Sequence, residues 1–249
     1  MLSDTELDRY ARQIILPQFG GAGQAKLKAA HVAVIGAGGI GCPAITYLAA
    51  AGIGRLTIID HDIVELSNLQ RQPLFTDGDI GRPKAEIAAE AIDRINPHVD
   101  FDAQVIRLTN SNAAALLAGA SLILDGCDNF DTRLAVNRTA MALRIPLLSA
   151  AIGAFEGQVA LYEGWRETSP CYQCLVGADP DREGINCAEQ GVMGALAGMI
   201  GTMAALEAVR ALTGWGQSLA GRLAILDMLD RRWREVGIAK DPGCPTCRG

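Results

Sequence analysis

The chain carries three groups of residues whose types and spacing suit them for chemistry. Gly36, Gly38, Gly39 and Gly41 form a glycine-rich turn between a β-rich run and a helical run. Backbone N–H groups bare of side chains at a helix N-terminus can face an anion, so this setting makes the turn a candidate phosphate site. Asp60 ends the next β-rich run, where an acid can grip ribose hydroxyls. To this point a nicotinamide-dependent oxidoreductase fits equally well. Arg71, Lys84 and Asp128 shift the balance. Cleaving a triphosphate calls for cations on the phosphates and an acid to hold Mg²⁺, whereas hydride transfer does not. The third group is Cys171-x-x-Cys174 and Cys244-x-x-Cys247. Two such pairs supply four thiolates for a closed tetrahedral Zn²⁺ site, which would be structural because no coordination position stays open.

The elements that position these residues follow from periodicity and breakers. A helix is expected over Asp4–Ile15, capped by Ser3 or Asp4. His31–Ile35, a helix to about Ala51, and Arg55–Ile59 form a βαβ unit, which implies a parallel sheet. A helix over Lys84–Ile95, a strand over Phe101–Leu108, a helix over Ala113–Leu117 and a strand over Leu122–Leu124 continue the alternation. Later strands are expected over Pro146–Ala151 and Gly157–Tyr162, and a hairpin over Arg222–Asp227 and Trp233–Gly237. Thr168–Gln190 reads as a loop and Val192–Leu212 as a buried helix. The expected fold class is α/β: a Rossmann-like mixed, mainly parallel sheet flanked by helices, with a zinc-tethered C-terminal hairpin region. One domain is expected over residues 1–249, with a nucleotide core at about 30–150 and a carrier-binding and zinc region at about 151–249.

Composition narrows the classes. A net charge of −6 leaves no basic excess for sustained nucleic-acid binding. The charged N-terminus lacks an apolar leader, and glycines interrupt both uncharged stretches, Val32–Gly54 and Gly191–Leu206. Spanning a bilayer takes about 20 continuously apolar residues, so no membrane insertion is expected. The protein is read as soluble and cytoplasmic. Its seven cysteines, an odd number, argue against a disulfide framework. His31, His61 and His98 make no ligand pattern and read as structural or surface residues, and Cys42 and Cys127 as packing residues.

The segments RYARQIILPQFG, GAGGIGCPA, IDHDIVELSNLQRQ, GRPKAE, INPH, DGCDN, NCAEQGVMG and the paired CxxC motifs run in order from Leu7 to Cys247. Together they resemble the ThiF/HesA/molybdopterin-synthase adenylyltransferase family, which is related to the ubiquitin-activating enzymes. The resemblance implies an ATP-dependent enzyme that adenylates the C-terminal glycine of a ubiquitin-like sulfur-carrier protein ending in Gly-Gly, for sulfur transfer in molybdopterin or thiamine biosynthesis. It implies that Gly39 of the glycine turn lines the nucleotide and that Asp60 holds the ribose. Asn68, Gln70, Arg71 and Lys84 contact phosphates in that reading, Asp62, Ser67, Leu69 and Asn129 complete the site, and Asp128 binds Mg²⁺. Arg12 matches an arginine that reaches across a homodimer into the partner's site. DGCDN departs from relatives that often have Cys-Thr or similar before Asp128-Asn129.

Cys187 lies ahead of a helix N-terminus, which favours a reactive thiolate, and matches a cysteine that links covalently to the carrier in thiamine-pathway relatives. No rhodanese-like extension follows Cys247, so a separate cysteine desulfurase or rhodanese-type donor is expected to supply sulfur. Different acceptors, such as a short peptide or a tRNA-linked substrate, keep the same chemistry and stay open, as does the oxidoreductase alternative.

Overall fold

The computed structural model describes residues 2–177 and 191–248. Helix α1 (Asp4–Ile14) opens on Ser3, whose hydroxyl accepts from the Glu6 N–H while the Glu6 carboxylate accepts from the Ser3 N–H. Helix α2 (Gly20–Ala29) leads into β1 (His31–Ile35), α3 (Gly41–Ala51), β2 (Arg55–Ile59), α4 (Lys84–Ile95) and β3 (Asp100–Gln104). Then come α5 (Ala113–Leu117), β4 (Leu122–Asp125), α6 (Phe130–Leu143), β5 (Leu147–Ile152) and β6 (Glu156–Tyr162). The chain continues through α7 (Tyr172–Val176), α8 (Gly194–Thr213), β7 (Arg222–Asp227) and β8 (Arg232–Gly237).

Among the described residues the strands form one eight-stranded sheet in the order β3-β2-β1-β4-β5-β6-β7-β8. Pairing is parallel from β3 to β5 and antiparallel from β5 to β8. Strand alternation splits the core into two layers. Val32, Val34, Leu56, Ile58, Leu122 and Leu124 face the helices α3, α4 and α8. Ala33, Ile35, Ile59 and Ile123 face the side of α5, α6 and α7. The chain leaves β1 toward β2 and returns on its other side as β4, so a crevice opens outside the carboxyl ends of β1 and β4, the usual ligand position in such sheets.

Most expected elements are present, including the β7–β8 hairpin. Three differ. The strand expected over Phe101–Leu108 stops at Gln104, opposite the end of β2 at Ile59. Beyond it Val105 and Ile106 are exposed, with no neighbouring strand to pair. Helix α6 was not anticipated: the Thr132 N–H donates to Asn129 Oδ1 at 2.9 Å, a side-chain N-cap hidden inside a motif read for its chemistry. Helix α2 was missed because its Gly-Gly-Ala-Gly opening has weak intrinsic propensity, and packing decides it, with Leu27 fully buried.

Helix α8 is long and apolar enough to cross a membrane by length and composition alone. It instead buries Leu196, Ile200, Ala204, Ala205 and Ala208 in the core between α3 and the sheet.

Candidate active site

The glycine turn is shaped by one close approach. A Cβ on Gly41, the first residue of α3, would sit 1.9 Å from the Gly36 carbonyl oxygen, so no larger residue fits. Gly36 adopts φ +87°, a region that favours glycine, and its N–H donates to the Ile59 carbonyl at 2.9 Å. Inside the turn the Cys42 thiol donates to the Ala37 carbonyl at 3.2 Å. The turn is also tied to β2. Asp60 accepts from the Ala37 N–H at 2.7 Å and from the Asp62 N–H at 2.8 Å, and it is 8% exposed. Burial pushes the Asp60 carboxyl up from the usual carboxylate value, against the pull of those two N–H groups and Lys84. A carboxylate keeps lone pairs beyond these two bonds, which a ribose hydroxyl can use.

Opposite the turn, Lys84 opens α4. Only 6% of it is exposed, and its Nζ donates to Asp62 Oδ2 at 3.1 Å. A buried ammonium held by one half-exposed carboxylate can exchange that partner for a phosphate oxygen. Arg71 Nη1 donates to the Ser67 carbonyl at 2.9 Å. Asn68 is buried, its Oδ1 accepting from the Glu65 N–H at 3.2 Å. Leu69 packs against the core instead of facing the crevice, and neither it nor Ser67 lines the cavity. The β4 side supplies Gly126, Cys127, Asp128 and Asn129, with Asp128 exposed and Asn129 also engaged in capping α6.

These walls enclose one cavity of about 1030 Å³. It brings together Gly36, Gly38, Gly39, Asp60, Asp62, Asn68, Gln70, Arg71, Lys84, Asp128 and Asn129 from five separated segments. It then runs on under β5 and β6, past Ser149, Gln158 and Tyr162 to Tyr172. The volume exceeds what a nucleotide needs, which leaves space for an extended chain to approach it. Arg12 is exposed on α1 and does not line this cavity. Cys187 lies outside the described residues.

Sequence reasoning missed three residues here. His61, read as a surface residue, is exposed but lines the cavity, with Nε2 3.5 Å from Asp62 Oδ1. Gln72 is buried against the turn with its Oε1 lacking a hydrogen-bond partner among the described residues. Arg133, buried on α6, donates to Ser149 Oγ and to the Ala150 carbonyl, each at 2.8 Å, and to the Cys127 carbonyl. Its Nη1 also lies 3.7 Å from Asp125 Oδ2. A lone arginine gave no signal of this, because its partners come from β4, β5 and the loop between β4 and α6.

Cys171, Cys174, Cys244 and Cys247 converge although Cys171 and Cys244 lie 73 positions apart in sequence. All four sulfurs lie within 4.8 Å of one another. Cys171 to Cys244 is 3.7 Å, Cys171 to Cys174 is 4.0 Å and Cys174 to Cys247 is 3.3 Å. A tetrahedral Zn²⁺ with Zn–S near 2.3 Å requires sulfur separations of about 3.8 Å, so the four residues fit that ion. Lys240 braces the C-terminal limb of this cluster by donating to the Gly164 and Arg166 carbonyls, both at 3.0 Å.

Comparison with known proteins agrees with this geometry. The chain is 45% identical over 246 residues to a sulfur carrier protein adenylyltransferase of Thermus thermophilus, covering 97% of this chain and 91% of that one. It is 43% identical over 246 residues to the molybdopterin-synthase adenylyltransferase of Salmonella typhimurium, covering 99% and 98%. Its fold superposes with a TM-score of 0.85 on a crystal structure of E. coli MccB with MccA-N7isoASN, at 21% identity, covering 100% of this chain and 76% of that one. The ThiF family model matches residues 10–246. A glycine turn, a buried acid and a buried lysine share one crevice, and with these matches the chain belongs to the ThiF family and is an adenylyltransferase.

Proposed function

We propose that the chain uses ATP to adenylate the C-terminal glycine carboxylate of a ubiquitin-like sulfur-carrier protein. The observation that carries this reading is the single cavity in which the Gly36–Gly41 turn, Asp60, Arg71, Lys84 and Asp128 meet, continuing under β5 and β6. The 42–45% identical relatives, which include sulfur-carrier and molybdopterin-synthase adenylyltransferases, point to the same acceptor.

In this reading a carrier carboxylate oxygen forms a bond to the α-phosphorus of ATP, the bond to the bridging oxygen breaks, and pyrophosphate leaves. No protein nucleophile is needed. Asp60 orients the ribose, Gly38 and Gly39 let the backbone approach the phosphates, and Asn68, Gln70, Arg71 and Lys84 bind them. Lys84 and Arg71 neutralise the charge that builds up on the departing pyrophosphate, and positioning supplies much of the remaining rate. Asp128 offers the hard oxygen that Mg²⁺ prefers, and the bound ion would neutralise phosphate charge. The four cysteines hold a structural Zn²⁺.

The enzyme works as a homodimer in the cytoplasm, with Arg12 acting in the partner's site. The persulfide of a separate cysteine desulfurase or rhodanese-type protein, directly or after passing to Cys187, then attacks the acyl-adenylate carbonyl and expels AMP. A second thiol cleaves the resulting acyl disulfide, leaving a disulfide and freeing the thiocarboxylate for molybdopterin or thiamine biosynthesis. The decisive assay is ATP–pyrophosphate exchange with carriers ending in Gly-Gly, drawn from both pathways. Exchange should appear with one of them and vanish when its last glycine is removed; exchange that is indifferent to the carrier refutes the acceptor. Mixing inactive Arg12→Ala and Lys84→Ala chains should restore part of the activity. A dead mixture of subunits shown to exchange overturns the shared site. Cys187→Ala should keep pyrophosphate exchange and lose thiocarboxylate formation if the thiol relays the carrier.

A further inference from the structure

The four-cysteine cluster and the acidic wall of the cavity share one element, α6. Arg133 and Asn137 are four residues apart and so project from the same face of the helix. At one end of that face Asn137 Nδ2 donates to Cys171 Sγ at 3.6 Å, and Asn137 Oδ1 accepts from the Tyr172 N–H at 2.9 Å. One buried amide thus fixes both a cluster sulfur and the backbone of the residue following it. Groups that hydrogen-bond a metal ligand fix its orientation, and an N–H aimed at sulfur favours the thiolate. At the other end Arg133 grips the loop bearing Asp128, donating to the Cys127 carbonyl and pairing with Asp125, which is 1% exposed. The link between the two ends is the Tyr172 ring, with the Arg133 guanidinium 5.9 Å from its centroid and the Tyr162 ring packed edge-on at 5.8 Å. That is within reach of a cation–π contact in a desolvated setting.

We propose that Asn137, Tyr172 and Arg133 form a positioning relay through which the assembled four-cysteine cluster holds the Asp125–Asn129 loop in its cavity-facing geometry. The cluster then governs the site as well as bracing the C-terminal tail. If the thiolates separate, Cys171 moves, Tyr172 follows it, and Arg133 loses the ring packed on its guanidinium, which together with Ser149 Oγ and the Ala150 carbonyl sets its reach to Cys127 and Asp125. None of the three residues needs to touch substrate for this. The consequence for catalysis, though not the coupling itself, rests on the role proposed above for Asp128.

The test is hydrogen exchange on the full-length protein. The amides of Gly126, Cys127 and Thr132, bonded to the Ile35 carbonyl, Asp125 Oδ1 and Asn129 Oδ1, report the loop. In Tyr172→Leu with its zinc content unchanged, exchange at these amides should rise at least about tenfold, and Tyr172→Phe, which keeps the ring, should restore protection. The kcat for pyrophosphate exchange should fall with the KM for ATP little changed, and recover with phenylalanine. Wild-type exchange rates in zinc-replete Tyr172→Leu overturn the relay. A second arm avoids the variant: stripping zinc from the wild-type protein with a chelator should free the loop amides while the β1–β2 ladder stays protected. Loss of both together, or of neither, overturns it equally. Hydrogen exchange needs no turnover, so an absence of pyrophosphate exchange in the wild type would sink the functional reading and leave the relay result standing.

Discussion

Alanine at two glycines of the same turn should separate the packing of the turn from its use as a ligand surface. At Gly41 the added Cβ would lie 1.9 Å from the Gly36 oxygen, where ordinary contact begins near 3.4 Å. The turn must open by about 1.5 Å, which no side-chain adjustment can absorb because the obstacle is backbone. Overpacking of this kind costs about 1–3 kcal/mol. An opening of that size also breaks the 2.7 Å bond from the Ala37 N–H to the Asp60 carboxylate, and a bond to a charged group contributes about 1.5–3 kcal/mol. Gly41→Ala should therefore destabilise by about 3 kcal/mol or more. At Gly38 the same methyl meets only the Gln72 amide, at 3.8 Å. Gly38→Ala should stay within about 0.5 kcal/mol of the wild type, or gain slightly from a stiffer unfolded chain. If phosphates approach the bare backbone there, its ATP affinity should still fall at least about tenfold. Urea unfolding and isothermal titration with ATP measure the two quantities separately. A stable Gly41→Ala protein would refute the packing argument, and Gly38→Ala binding ATP like the wild type would refute the phosphate approach.

Other outcomes follow from the same geometry. Metal analysis should find about one Zn²⁺ per chain, as a single four-thiolate site requires, and Cys171→Ser should release it and lower the thermal midpoint. Arg133→Met should cost about 3–5 kcal/mol because it strands the buried Asp125 charge. Adding Asp125→Asn should recover part of that loss, and strictly additive losses in urea unfolding would deny the pairing. Burial alone would raise the Glu6 carboxyl, but hydrogen bonds from Lys28 and Ser3 outweigh it and hold its pKa at about 2. A depressed acid stabilises the fold above its unfolded value of 4.5 and loses that contribution as pH falls toward 2, so Glu6→Gln should flatten the loss of stability over that range. An identical acid limb in the variant would exclude Glu6 as its source.

The sequence by itself determined the parts of this protein that are local. The strand–turn–helix around Gly36–Gly41, the parallel βαβ start, the β7–β8 hairpin and the pairing of each CxxC follow from periodicity, glycine placement and short spacings, all written within a few residues. Residue type and placement carried the site assignments to Asp60, Lys84 and Asp128 and the resemblance added Asn68 and Gln70, all of which the fold gathers around one cavity. Only the tertiary structure decided what depends on distant neighbours. Arg133 becomes a buried cation because β5, the β4–α6 loop and α7 arrive around it, and nothing beside it in sequence requires that. Leu69 turns from the site to the core because the loop holding it must cover apolar surface. Helix α8 reads like a membrane span by composition, and its burial against α3, β5 and β6 makes it core, since the sheet supplies the apolar partner that a bilayer otherwise would. The approach of Cys171 to Cys244 within 3.7 Å is likewise a product of the hairpin's return, because two pairs so far apart in sequence meet only when the sheet between them is complete.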